Sequence, residues 1–132
     1  MRIERLNLAD DGRVSLTAYL LDTSTELPAL DKRPAVVICP GGGYAYTSDR
    51  EAEPIALTFS AQGYQTFVLR YSIKEYAAFP NSLVDLAKAV ALIRRQADDL
   101  NIFAERIAVA GFSAGGHLAA SLGVFWNDPE IQ

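Results

Sequence analysis

Between Val14 and Leu21 the apolar side chains fall at positions 14, 16, 18 and 20, a period of two that turns one face of a strand toward a core. Met1 to Leu8 repeats the signal more weakly, so the chain is expected to open on a hairpin around Asp10-Asp11-Gly12. Leu27 to Pro34 carries proline and charge without a period and reads as a connection. Ala35-Val36-Val37-Ile38-Cys39 is then apolar throughout, the pattern of a strand buried on both faces. Gln65 to Tyr71, centred on Phe67-Val68-Leu69, and Ile107 to Ala110 read as strands of the same buried kind. Ser48-Asp49-Arg50-Glu51 fits a capping box, which predicts a helix from about Glu51 to Ala61 stopped by Gly63, with Pro54 tolerated in its first turn. Leu83, Leu86, Ala87, Val90, Ile93, Ala97 and Leu100 make one apolar stripe, with Lys88, Arg94, Arg95 and Asp98 off it, and predict a long helix. A third helix is expected from Ser113 to about Phe125. Strands that alternate with helices imply crossover connections and helices on both faces of a sheet. The expected class is α/β, with a mostly parallel sheet, an N-terminal hairpin and flanking helices.

Composition narrows the class of partner more than it changes the fold. With 132 residues, 50% of them hydrophobic and 21% charged, the chain suits one compact soluble domain. A formal net charge of −4 and scattered Lys and Arg leave no basic patch, which argues against nucleic acid and anionic membrane as partners. Charges at Arg2, Glu4 and Arg5 interrupt any secretion-signal pattern, and no apolar run reaches membrane-spanning length, so a cytoplasmic location is expected. Cys39 is the one cysteine and His117 the one histidine, which leaves no internal disulfide and no zinc-ligand spacing. Neither a metal nor a cofactor is implied. Cys39, at the end of an apolar strand, reads as a buried structural thiol.

The chemistry sits in two glycine-rich runs, each directly after an apolar strand. Gly111-Phe112-Ser113-Ala114-Gly115 fits Gly-x-Ser-x-Gly, the nucleophile elbow in which a sharp strand-to-helix turn lifts a serine above the sheet. Pro40-Gly41-Gly42-Gly43-Tyr44 follows the Ala35 to Cys39 strand, where such enzymes place further oxyanion donors. Glycine suits that loop because backbone N–H groups must come within about 3 Å of the developing charge, and a Cβ would obstruct the approach. Ser113 is therefore the candidate nucleophile, and the N–H groups of Gly42, Gly43 and Ala114 are the candidate oxyanion hole. A phosphate loop fits less well: no Gly-Lys-Ser/Thr follows, and Gly41-Gly42-Gly43-Tyr44-Ala45-Tyr46 fails the last position of a dinucleotide fingerprint. Tyr44 and Tyr46 are candidates to wall a substrate pocket, Tyr44 above all, although an aromatic beside a loop is as often packing. His117 lies four positions after Ser113 in the elbow helix and reads as a packing and hydrogen-bonding residue rather than the base. Asp128 and Glu130 are the only carboxylates after the serine, and both suit solvent.

These runs, with Arg50-Glu51-Ala52-Glu53-Pro54, Tyr71-Ser72-Ile73, Phe79-Pro80 and Asp85, resemble the α/β-hydrolase esterases related to acetyl esterases and acetylxylan esterases. The likeness runs from about Pro34 to Asn127. It implies an α/β-hydrolase fold, Ser113 as nucleophile, and Gly42, Gly43 and Ala114 as oxyanion donors. Pro40 departs from the histidine that opens the loop in many relatives. Such relatives are roughly twice as long, and their catalytic acid and histidine lie in a half with no counterpart here. The chain is thus expected to be the N-terminal half of a serine carboxylesterase for acetyl or other short acyl esters of carbohydrates, inactive by itself. Rival readings are a peptidase, an arylformamidase-like acyl hydrolase, or a non-catalytic remnant that serves as an interaction module. An exposed edge on the Ile107 to Ala110 strand would favour self-association.

Overall fold

A computed structural model describes residues 1–9 and 11–127. Five strands, β1 (Arg2–Asn7), β2 (Ser15–Leu20), β3 (Arg33–Cys39), β4 (Gln65–Arg70) and β5 (Ile102–Gly111), form one sheet in the order β1-β2-β4-β3-β5. β4, β3 and β5 run parallel, whereas β2 is antiparallel to both β1 and β4. The sheet is therefore mixed rather than mostly parallel: the hairpin does not stand apart but inserts β2 beside β4, which gives as many antiparallel pairings as parallel ones. Asp10, at the tip of the expected turn, lies outside the described residues.

Three helices cover the sheet: α1 (Glu53–Ala61), α2 (Asn81–Arg95) and α3 (Ala114–Phe125). Alternation along the strands divides the core between the faces. Leu16, Ala18, Val37, Cys39, Phe67 and Leu69 pack with Leu83, Leu86, Ala89 and Ile93 of α2 and Leu118 of α3. Tyr19, Val36, Ile38 and Val68 point the other way, toward Ala52 and Ala56 at α1. Helices on both faces explain why Ala35 to Cys39 of β3 and Phe67 to Leu69 of β4 are apolar without a break, since neither face meets water there.

Three details differ from the sequence pattern. α2 ends at Arg95, and Ala97 and Leu100 are buried from the turn that follows it rather than from the helix. β5 starts at Ile102, five residues before the apolar run, because Arg33 pairs with Ile102 across a register irregularity. The same strand is not buried on both faces: Ile107 and Val109 are half-buried and Ala108 is exposed. Its place at the edge of the sheet, paired only to β3 among the described residues, accounts for this.

Buried polar groups fix the ends of the elements. The Gln65 side chain accepts from Leu21 N–H at 2.7 Å and donates to the Leu100 carbonyl at 3.1 Å. Ser72, after β4, is clasped by α2: its N–H donates to Asp85 at 2.8 Å, and its carbonyl accepts from the Ser82 hydroxyl at 2.6 Å. No helix among the described residues is long and apolar enough to cross a membrane.

Candidate active site

β5 ends at Gly111 and α3 starts at Ala114, so the chain reverses within Phe112-Ser113. Ser113 holds φ 53° and ψ −118°, in a region that costs a residue with a side chain about 1–3 kcal/mol. Surrounding hydrogen bonds hold the turn there. Phe112 N–H donates to the Cys39 carbonyl at 3.2 Å, Gly115 N–H to the Phe112 carbonyl at 2.9 Å, and His117 N–H to the Ser113 carbonyl at 2.9 Å. The flanking glycines are a steric requirement. A Cβ on Gly111 would lie 2.1 Å from the Gly115 carbonyl oxygen, and one on Gly115 would lie 2.0 Å from that of Cys39. Without side chains at both positions, α3 can back onto its own strand and onto the end of β3. Ser113 is left exposed, and among the described residues its hydroxyl has no hydrogen-bond partner.

Parallel pairing sets Cys39 opposite Gly111, so the loop after β3 emerges beside the elbow. The two touch: a Cβ on Gly41 would fall 3.2 Å from Ser113 Cβ and 2.6 Å from the Phe112 carbonyl oxygen. Nearly every other polar group of the loop is tied. The Pro40 carbonyl accepts from the buried Tyr71 hydroxyl, the Gly41 carbonyl from Ser48 N–H at 2.9 Å, and the Gly42 carbonyl from Ala45 N–H at 3.0 Å. Gly41 N–H donates to Glu51 Oε1 at 3.0 Å. The N–H groups of Gly42, Gly43 and Ala114 make no hydrogen bond among the described residues. Such free donors at adjoining strand ends are what an anion-stabilising site requires.

The Glu51 contact corrects the capping-box reading. Neither Ser48 nor Glu51 caps a helix; residues Asp49–Glu51 form a 3-10 turn, and α1 begins only at Glu53. The carboxylate turns instead toward the loop, where Gly41 N–H offers it a hydrogen bond. Arg70 anchors the same turn through the Thr47 carbonyl at 2.6 Å and Asp49 at 3.0 Å.

Tyr44 closes the loop at φ 64°, left-handed backbone that is rare for an aromatic residue. Its carbonyl accepts from Lys74 N–H at 2.6 Å, and its ring meets Tyr71 edge-on with centroids 5.9 Å apart. Its hydroxyl lies 2.8 Å from His117 Nδ1. Burial, with a smaller contribution from Cys39, raises the Tyr44 hydroxyl above its ordinary range, so it is protonated at neutral pH. Burial alone pushes the Cys39 thiol up to about 12, which makes it an inert core group. Tyr44 and His117 also line a cleft of about 150 Å³ with Phe79, Leu83 and Leu118. Tyr46 is exposed and does not line it. Asp128 and Glu130 lie outside the described residues.

A mixed sheet with helices on both faces, a serine elbow after one strand and a glycine loop after its parallel neighbour define an α/β hydrolase. The family model of BD-FAE matches residues 21–132, and the chain belongs to that family. Among solved structures it is similar to MGS-M1, an α/β hydrolase enzyme from a Medee basin deep-sea metagenome library, at 51% identity and TM-score 0.90, covering 92% of this chain and 50% of that one. The carboxylesterase Cest-2923 of Lactobacillus plantarum superposes at 35% identity and TM-score 0.88, over 99% of this chain and 49% of that one. Acetylxylan esterase of Xylanibacter ruminicola is 30% identical over 116 residues, covering 87% of this chain and 22% of its own length. The chain thus spans about half, or less, of the length of the relatives it matches. With the family match, this likeness places the chain among the α/β hydrolases, with esterases among the proteins that it resembles.

Proposed function

We propose that these residues carry the nucleophile and the oxyanion hole of a serine carboxylesterase that removes acetyl or other short acyl groups, with acylated carbohydrate as the substrate class. The observation that carries the reading is the strained, exposed Ser113, packed against Gly41 of a loop whose Gly42 and Gly43 N–H groups, like that of Ala114, are unengaged. In this mechanism Ser113 Oγ attacks the ester carbonyl carbon. The carbonyl oxygen takes up the negative charge against Gly42, Gly43 and Ala114, each donor contributing about 3 kcal/mol to the transition state. Collapse expels the alcohol and leaves an acyl-serine, which water hydrolyses. The proton of Ser113 needs a histidine other than His117, whose Nδ1 is occupied by Tyr44. That base and its acid partner would come from outside these 132 residues.

Tyr44 would wall the acyl site: the small, mainly apolar cleft that it lines runs along α3 through His117, Leu118 and Ser121, is not lined by Ser113 itself, and would take a short acyl chain better than a long one. The acetylxylan esterase relative supports a carbohydrate ester as the acetyl carrier. The test is p-nitrophenyl ester hydrolysis across acyl lengths, with acetylated xylan and an N-formyl aryl amide alongside. A full-length family member should prefer acetate and lose turnover on replacement of the matching serine. The 132-residue chain and its Ser113→Ala variant should both remain near background. Serine-dependent turnover by the short chain would show that His117 or a second subunit serves as base, and preference for the formyl amide would replace the esterase reading with a formamidase one.

A further inference from the structure

We infer that His117 and Tyr44 form a latch in which the elbow helix sets the position of the glycine loop, making both of them positioning residues of the proposed oxyanion hole. The inference rests on the esterase reading for what the loop does, but the latch itself is a matter of geometry. His117 is fastened to the nucleophile residue through its backbone, N–H to Ser113 carbonyl at 2.9 Å, and to the loop through its side chain, Nδ1 to Tyr44 hydroxyl at 2.8 Å. The two rings stand nearly perpendicular, at 86°, so the contact is a hydrogen bond in an edge arrangement and not a stack.

The other polar ties of the loop lead elsewhere. Tyr71 belongs to the end of β4, Glu51 and Ser48 to the turn before α1, and Lys74 to the turn before α2. Among the described residues, Tyr44–His117 is the one side-chain hydrogen bond between residues 40–47 and α3. The other joins between the two halves are backbone ones at the base of the loop: the β3–β5 pairing, Phe112 N–H to the Cys39 carbonyl, and the packing of Gly41 on Ser113 and of Gly115 on Pro40. Tyr44 also sits at φ 64°, next to the φ 64° of Gly43, so its side chain holds a backbone turn that the residue would not adopt unaided. A loop that relaxed there would swing the Gly42 and Gly43 N–H groups away from Ser113. The spacing explains why this duty falls to position 117: one helical turn past Ser113 keeps the imidazole on the side of the helix that faces the loop.

Amide hydrogen exchange tests this without substrate, so its failure and the failure of the esterase reading are separate outcomes. The reporters are Ala45, Ser48 and Lys74, whose N–H groups bond to loop carbonyls, against Val37 and Phe67 in the central strands. Tyr44→Phe, which removes only the hydroxyl, should speed exchange at the reporters by roughly three- to tenfold, the scale of one lost hydrogen bond. It should leave the central strands unchanged and shift the His117 imidazole nitrogen resonances. His117→Ala should speed the reporters to a similar degree, and the double variant should add little. Unchanged reporters in folded Tyr44→Phe, equal acceleration of the central strands, or additive single effects would each overturn the latch.

Discussion

Gly115→Ala is the smallest change that should dislocate the elbow, and its size can be worked from the packing. The new methyl carbon would lie 2.0 Å from the Cys39 carbonyl oxygen, 2.6 Å from that residue's carbonyl carbon and 2.6 Å from the Pro40 oxygen. All three are backbone atoms at the buried end of β3, so no rotamer change relieves the clash. Either α3 lifts off the sheet or β3 bends. Inserting a methylene-sized group into a packed core usually costs about 1–3 kcal/mol, and a backbone collision on this scale belongs at or beyond the upper end. Gly115 lies inside the first turn of α3, where alanine would otherwise gain about 1 kcal/mol in helix propensity, which offsets only part of the loss. A net destabilisation of about 2–3 kcal/mol is expected. With a urea m value of about 1–3 kcal/mol/M for a domain of this size, the midpoint should fall by roughly 1 M or more. Two glycines of the same helix serve as controls. A Cβ at Gly116 would meet the Gly111 oxygen at 3.3 Å, and one at Gly123 meets nothing within 4 Å. Gly116→Ala should be near neutral, and Gly123→Ala should stabilise by about 0.5–1 kcal/mol. If Gly115→Ala melts with the wild type while Gly123→Ala behaves as stated, the claim that the elbow glycine exists for backbone clearance is wrong.

Glu51→Ala strands the Gly41 N–H and should cost about 1–3 kcal/mol by urea titration, whereas Glu51→Gln, which keeps a carbonyl acceptor, should cost clearly less; equal losses would deny the hydrogen bond its role. Cys39, with its thiol raised from 9.0 to about 12, should resist thiol reagents in the native chain at pH 8 and react fully in denaturant; fast native labelling would contradict its burial. Because the folded pKa lies above the unfolded one, the contribution of Cys39 to stability is complete below pH 9 and declines between pH 9 and about 12; a stability curve that Cys39→Ala leaves unchanged across that window would refute the assignment. β5 offers an unpaired edge among the described residues, so sedimentation should reveal self-association or aggregation. A stable monomer at high concentration, with residues 107–110 strongly protected, would refute that expectation.

What the sequence made legible followed from periodicity and from steric demands that only glycine meets. Continuous apolar runs located β3 and β4 because both faces of a central strand are buried, and the 14, 16, 18, 20 alternation gave the inward face of β2, since Val14, Leu16, Ala18 and Leu20 are all in the core. The elbow was legible because Gly111 and Gly115 are each excluded from bearing a side chain by a specific carbonyl. The misses share a physical origin: pairings between residues distant along the chain. Nothing local to the hairpin says that β2 will lie against β4, and the apolar content of Ile107 to Ala110 does not say whether one neighbour or two will cover it. Glu51 is the sharpest instance. Its local pattern, serine three residues earlier, satisfies the capping-box rule, yet the carboxylate answers an N–H ten residues back that the fold brings within 3.0 Å. A local rule loses to a tertiary partner when that partner is a buried backbone donor with no other acceptor, because leaving such a group unpaired costs more than an N-cap contributes. The same holds for Tyr44 and His117, 73 residues apart, which meet only because β3 and β5 are neighbours in the sheet. Two of these departures, Glu51 and the Tyr44–His117 pair, meet at the loop beside the elbow, where the strained Ser113 backbone and the glycine turn are held by side chains recruited from elsewhere in the chain.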